Sequence, residues 1–208
     1  MTAPSHATTA DQTELPVILR ASVKHGLIQA AIIVMMALVS RYTDGVAETA
    51  GLAVLLLGGL AVSCGLPGIW TNARTIEGIA GAAGIGLAAS AFFLVLDVAI
   101  FQPVGLWTNR WREIGGGSNW WYHPVWWMLD TYLAWFGAWI LANQAAKGRQ
   151  PSIGGMMALL VACNAVLMVV AVLIHFPGAG WNVPTFGVTT LAGLPLATLV
   201  SGLGRRGA

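Results

Sequence analysis

Charge is the first thing this sequence lacks. Only 9% of its 208 residues are Asp, Glu, Lys or Arg, against about 25% in a typical soluble domain. A surface so poor in charge cannot face water over most of its area. The deficit is concentrated in long apolar runs, the pattern of membrane-crossing segments, and the mean hydropathy is +0.73. Cysteine is nearly missing as well. Cys64 and Cys163 stand far apart inside apolar runs, with no CxxC or Cys/His cluster. That excludes a structural zinc framework and a disulfide scaffold, and leaves two small buried hydrophobes. A net charge of +2 without a basic tract gives nucleic acid nothing to bind. The chain also has no P-loop, dinucleotide fingerprint, serine elbow or HExxH, so nucleotide-driven and hydrolytic activities have no support.

What is present is apolar length. Six runs are long enough to cross about 30 Å of hydrocarbon: 25–42, 50–70, 76–101, 124–145, 154–175 and 186–203. The reading is an all-α integral membrane protein, a compact bundle of six transmembrane helices. A polar tail over 1–24 precedes the bundle and a short basic tail over 204–208 follows it. The polar N-terminus is too long and too acidic for a signal peptide's leading region, so the first apolar segment is expected to be retained despite the ALVS at 37–40. Pro195 is expected to kink the last span.

Positive charge sets the orientation. With the N-terminus inside, one side holds Arg20, Lys24, Arg74, Lys147, Arg149, Arg205 and Arg206, and the other only Arg41, Arg110 and Arg112. The positive-inside rule then places both termini in the cytoplasm and the protein in the cell (inner) membrane. The segment ends share a theme: GLPGIWTNAR, PVGLWTNRW and FPGAGWNVP. Pro and Gly stop the helices, and Trp sits where its ring is apolar and its N–H wet.

Lipid provides little drive for helices to associate, so small residues mark the faces that pack closely. The third span carries Gly78, Ala82, Gly86 and Ser90 every fourth residue, and the face continues through Phe93 to Asp97. The second carries Gly51, Gly58 and Gly65, one per heptad, and the fifth begins Gly154, Ala158, Ala162. This density points to a tight bundle and to contacts with other membrane subunits or with further copies of the chain.

The stretch SNWWYHPVWWMLDTY at 118–132 holds the most chemistry. Pro124 suits a first helical turn. Trp120, Trp121, Tyr122, Trp126 and Trp127 around it form an aromatic belt at the membrane surface. Trp107 and Trp111 suit a short interfacial helix at 106–114. Anchoring does not explain Asp130, nor Asp97 in the preceding span. An ionised carboxylate at a helix centre costs roughly 2.5–3.5 kcal/mol on insertion scales, so each needs a partner or a purpose. Counted at 1.5 Å per residue, Asp97 lies about 6 Å and Asp130 roughly 10 Å below the outer surface. The two depths are compatible, so the carboxyls could meet, and if adjacent the pair would share a proton and titrate as a unit. A helix–helix hydrogen bond from Asp130 to Thr189, Thr190 or a carbonyl is the plainer alternative.

His123, Trp126 or Trp127, Asp130, Ala134 and Gly137 share one helical face, and Asn164, Met168, Ala171 and His175 another. Asp130 and Asp97 are therefore the catalytic candidates, should the protein be an enzyme. Trp126, Trp127, Tyr132, His123, His175 and Asn164 are the candidates for binding an apolar ligand. No histidine spacing supports a metal site, and no cofactor is indicated. Three functions fit: an accessory or structural subunit of a larger membrane complex, an enzyme protonating an isoprenoid-like lipid through an intramembrane aspartate, and a small transporter.

Overall fold

A computed structural model of the chain describes residues 10–109 and 122–204, without the side chains of 122–126 and Pro184. Six α-helices account for the described fold. They are α1 (Leu15–Tyr42), α2 (Gly45–Trp70), α3 (Ile76–Leu96), α4 (Tyr122–Ala146), α5 (Ile153–Leu173) and α6 (Val183–Gly202). A π-helical turn, Asp97–Phe101, prolongs α3. Five segments are long and apolar enough to cross a membrane: Leu15–Tyr42, Gly45–Trp70, Ile76–Phe101, Ile153–Leu173 and Thr185–Gly202. These make it a multi-pass helical membrane protein.

α4 is not among the five, a departure from the expected six. It carries Asp130, Asn143 and Gln144 in a window also rich in Trp and Tyr, which lowers its hydropathy. Packing explains why it tolerates them. α4 touches α2, α3, α5 and α6, as many helices as α2 touches and more than the rest do. Ala134, Ala138, Ile140, Leu141 and Asn143 are buried on it.

The helices alternate in direction. α1 and α3 run parallel: Gly26 lies against Ala89, and Ala30 packs with Phe93 and Leu94. α2 runs opposite to both, and α4 opposes α3, with Ala138 and Ala142 against Ile79 and Ala82. α6 runs beside α4: the Tyr132 hydroxyl donates to the Leu191 carbonyl at 2.6 Å, and Asn143 Nδ2 donates to Ser201 Oγ at 2.8 Å. We call the end holding the start of α1 the first end.

Small residues set the closest approaches. A Cβ on Gly137 would stand 1.9 Å from the Cys64 carbonyl oxygen, and one on Gly86 2.6 Å from that of Asp130. Gly78, Ala82, Gly86 and Ser90 are all buried on α3, as their spacing predicts. The α2 glycines divide instead. Gly51 faces Val39 of α1, Gly65 faces Ile153 of α5, and nothing lies within 4 Å of Gly58.

The second part of the expected polar tail over 1–24 is helix, because α1 begins at Leu15 with Pro16 in its first turn. The residues before it are docked. Asp11 accepts from the backbone N–H of Arg74 at 2.8 Å and of Thr75 and Gly78 at 3.0 Å each, capping the start of α3. Partial burial works to raise the pKa of its carboxyl. The hydrogen bonds from Thr75, Arg74 and Gly78 outweigh it and hold the group below the ordinary range.

Candidate functional site

Asp130 is buried, with 3% of its surface exposed. Its partner is a residue that the spacing arguments passed over. His25 Nε2 stands 3.7 Å from Asp130 Oδ1, and His25 is wholly buried. Among the described residues the backbones of α1 and α4 do not come close to each other. They occupy opposite corners of a diamond whose other corners are α2 and α3, and these two side chains reach across its middle.

The surroundings are tight and nearly apolar. Trp70 of α2 meets the His25 ring edge-on, with centroids 6.0 Å apart. α3 supplies Gly86 against the Asp130 backbone and Ala89 against Gly26, the residue after His25. Cys64 of α2, fully buried, faces Gly137 two turns along α4. The polar neighbours are Gln29, whose Nε2 lies 3.3 Å from His25 Nε2, and Ser63, whose Oγ lies 3.3 Å from the same amide nitrogen. Among the described residues, both carboxyl oxygens of Asp130, and Nδ1 of His25, find no hydrogen-bond partner.

Asp97 belongs to a separate arrangement. It is buried, as its helical face predicts, and its carboxylate accepts from Gln102 Nε2 and Trp107 Nε1 at 2.8 Å each. Trp107 also meets Phe101 edge-on. This fixes the π-turn and the chain's exit from α3, and Arg41 adds to it by donating Nη2 to the carbonyls of Gly105 and Leu106. The meeting of Asp97 with Asp130 that compatible depths would allow does not occur. Asp130 sits beside Gly86, and Asp97 is eleven residues further along α3, about 16 Å at 1.5 Å per residue. The error lay in reading depth from span ends: Asp130 is near the mid-depth of α3, and Asp97 near its end.

The other expected site residues are dispersed. Asn164 Nδ2 donates to Thr190 Oγ1 at 2.6 Å, so both are engaged in joining α5 to α6 rather than serving Asp130. Thr189 donates to the Thr185 carbonyl in its own helix. Tyr132 is likewise engaged, with Leu191. Trp127 is 42% exposed on the bundle's surface. His175 is exposed in the turn after α5, at a φ of +55°. The side chains of His123 and Trp126 lie outside the described set, as do residues Trp111, Trp120 and Trp121 and the main part of the expected interfacial helix; its described start, 106–108, is not helical. Among the described residues, no three His, Cys, Asp or Glu side chains gather as a metal site.

One signal could have revealed His25. Ala21, Ser22, His25, Gly26 and Ala30 form a small-residue face at helical spacing, with the imidazole in its midst. Arg20 and Lys24 on the opposite, exposed face disguised that segment as a tail. Long basic side chains reach back to the headgroups from within a span, so such charges do not end one. Compared with protein-family models, curated proteins and solved structures, the chain matches none.

Proposed function

We propose that this protein is an accessory or structural subunit of a larger membrane assembly in the cell membrane. It crosses the bilayer six times, with α4 as the sixth span and both termini in the cytoplasm. Support for the sixth span comes from connectivity. α3 ends at one end of the bundle and α5 begins at the other, so α4 must traverse it. Its 25 residues reach about 37 Å at 1.5 Å per residue, more than the hydrocarbon thickness. The orientation rests on Arg74, Lys147 and Arg149 at the first end, joined by Arg20 and Lys24 on the early turns of α1.

The observation that carries the subunit reading is the outer face of α5. Gly154, Ala158 and Ala162 recur every fourth residue, and all three are exposed, with Ala165 beside them. The stripe of the same spacing on α3 is buried along its whole length. Small residues let a second backbone come close, and dispersion and weak Cα–H···O contacts then hold it. A lipid-facing helix has no use for that stripe. Asp130, by contrast, is buried, with Gly86 against its backbone and His25 3.7 Å from its carboxyl.

The test places bulk on the stripe. Ala158→Phe with Ala162→Phe keeps the surface apolar and leaves the bundle's interior untouched. In mild detergent the wild-type chain should extract within a larger particle, and the double variant as the 21.8 kDa chain alone. Particles of equal size would contradict the reading.

A further inference from the structure

His25 and Asp130 invite a question about protons that the subunit reading leaves open. A buried carboxylate ordinarily accepts several hydrogen bonds, because an ionised oxygen without donors is expensive to remove from water. Asp130 accepts none from the described residues. The gap of 3.7 Å to His25 Nε2 exceeds the roughly 2.8 Å of a charge-assisted hydrogen bond by about 0.9 Å. An imidazolium–carboxylate pair would close that gap. The groups on hand suit two neutral partners instead. Gln29 Nε2 donates toward His25 Nε2, which must then be an unprotonated lone pair, leaving the ring's proton on Nδ1.

We infer that His25 and Asp130 form an intramembrane proton-binding site, in which Asp130 holds the proton as a carboxylic acid and His25 Nε2 is its acceptor. Closing the 0.9 Å gap lets the proton pass: the Asp130 O–H bond breaks, an N–H bond forms on Nε2, and a carboxylate and an imidazolium result. Gln29 suits both states. Its amide nitrogen donates to the neutral ring, and a half-turn of the amide presents its oxygen to the imidazolium N–H. Ser63, bonded to the same amide, positions Gln29 from α2.

The groups facing the pair are few. α2 brings the Cys64 thiol, the Ser63 hydroxyl and the Trp70 ring; α3 brings Gly86 and Ala89; and on α1 the cations Arg20 and Lys24 point outward. Among these residues no fixed charge favours the ionised pair, so the neutral one is the resting state. The site spans two helices whose described backbones do not come close to each other, and its protonation is thereby tied to how α1 sits against α4. This inference does not depend on what covers α5.

The experiment is infrared difference spectroscopy of the full chain in lipid bilayers at neutral pH. A protonated-carboxyl carbonyl band is expected, lost in Asp130→Asn, shifted in His25→Gln, and shifted again for wild type moved into deuterated water. Only carboxylate absorption at Asp130 would mean a fixed ion pair and overturn the inference. An acid band that deuterated water never shifts would overturn the exchange. Should Asp130→Asn fail to fold, the nitrogen spectrum of ¹⁵N-histidine in the wild-type chain decides, by comparison with His25→Gln. A neutral ring is expected, and an imidazolium at neutral pH would refute the proposal.

Discussion

Gly137 of α4 is where the packing can be tested most severely. Replacing it with alanine would put a Cβ 1.9 Å from the Cys64 carbonyl oxygen, 2.5 Å from its carbon and 2.7 Å from its Cα. Carbon and carbonyl oxygen ordinarily approach no nearer than about 3.3 Å, so α2 and α4 must part by roughly 1.4 Å there. The obstruction is backbone, which no rotamer change relieves. The same seam holds Gly68, where an added Cβ would lie 2.8 Å from Ala138 Cα, so parting the helices loosens contacts along two turns. Overpacking costs about 1–3 kcal/mol, and the rigid obstacle puts Gly137→Ala at the upper end. Gly84→Ala is the control: nothing lies within 4 Å of that position, and it should be neutral. Titrating the folded protein in mixed micelles with a denaturing detergent, and following tryptophan fluorescence, gives both values. Gly137→Ala unfolding within about 0.5 kcal/mol of wild type, the range of neutral surface changes, would refute this helix contact.

Further predictions concern the polar ties. Asp11→Asn should weaken the docking of residues 10–14 on α3, seen as faster proteolysis before Leu15. Because the folded pKa of Asp11 is depressed, its contribution is present above the unfolded value and lost as pH falls through the folded one; wild type and variant should converge in acid. Tyr132→Phe removes one hydrogen bond to α6 and should cost about 0.5–1.5 kcal/mol in the same detergent titration. Trp107→Phe keeps the ring against Phe101 but removes a donor from Asp97. It should raise hydrogen exchange in the Asp97–Phe101 turn and leave α5 and α6 unchanged.

Much of this architecture is legible in the residues themselves, because a bilayer allows few answers. Spans must be helical and long, and their small residues must face one another. The α3 stripe and the inward aspect of Asp97 follow from that alone. Three features do not. Arg20 and Lys24 hide the first turns of α1, since hydropathy averages over all faces of a helix and cannot separate a charged face from the small-residue one beside it. The aromatic-rich entrance to α4 does not reveal the depth of Asp130, which is set by where α4 meets Gly86. The stripe on α5 has the same spacing as that on α3, but spacing names a packing face without naming the partner. On α5 the stripe is exposed among the described residues.

The subunit reading is tested most directly by a native mass spectrum of the chain extracted gently from its own membranes. The account predicts a particle carrying other chains besides the 21.8 kDa one, which dissociates when Ala158 and Ala162 are enlarged. Peaks at the monomer mass or its multiples alone would contradict it. They would make this a self-contained protein, with the α5 face left to lipid or to further copies of itself.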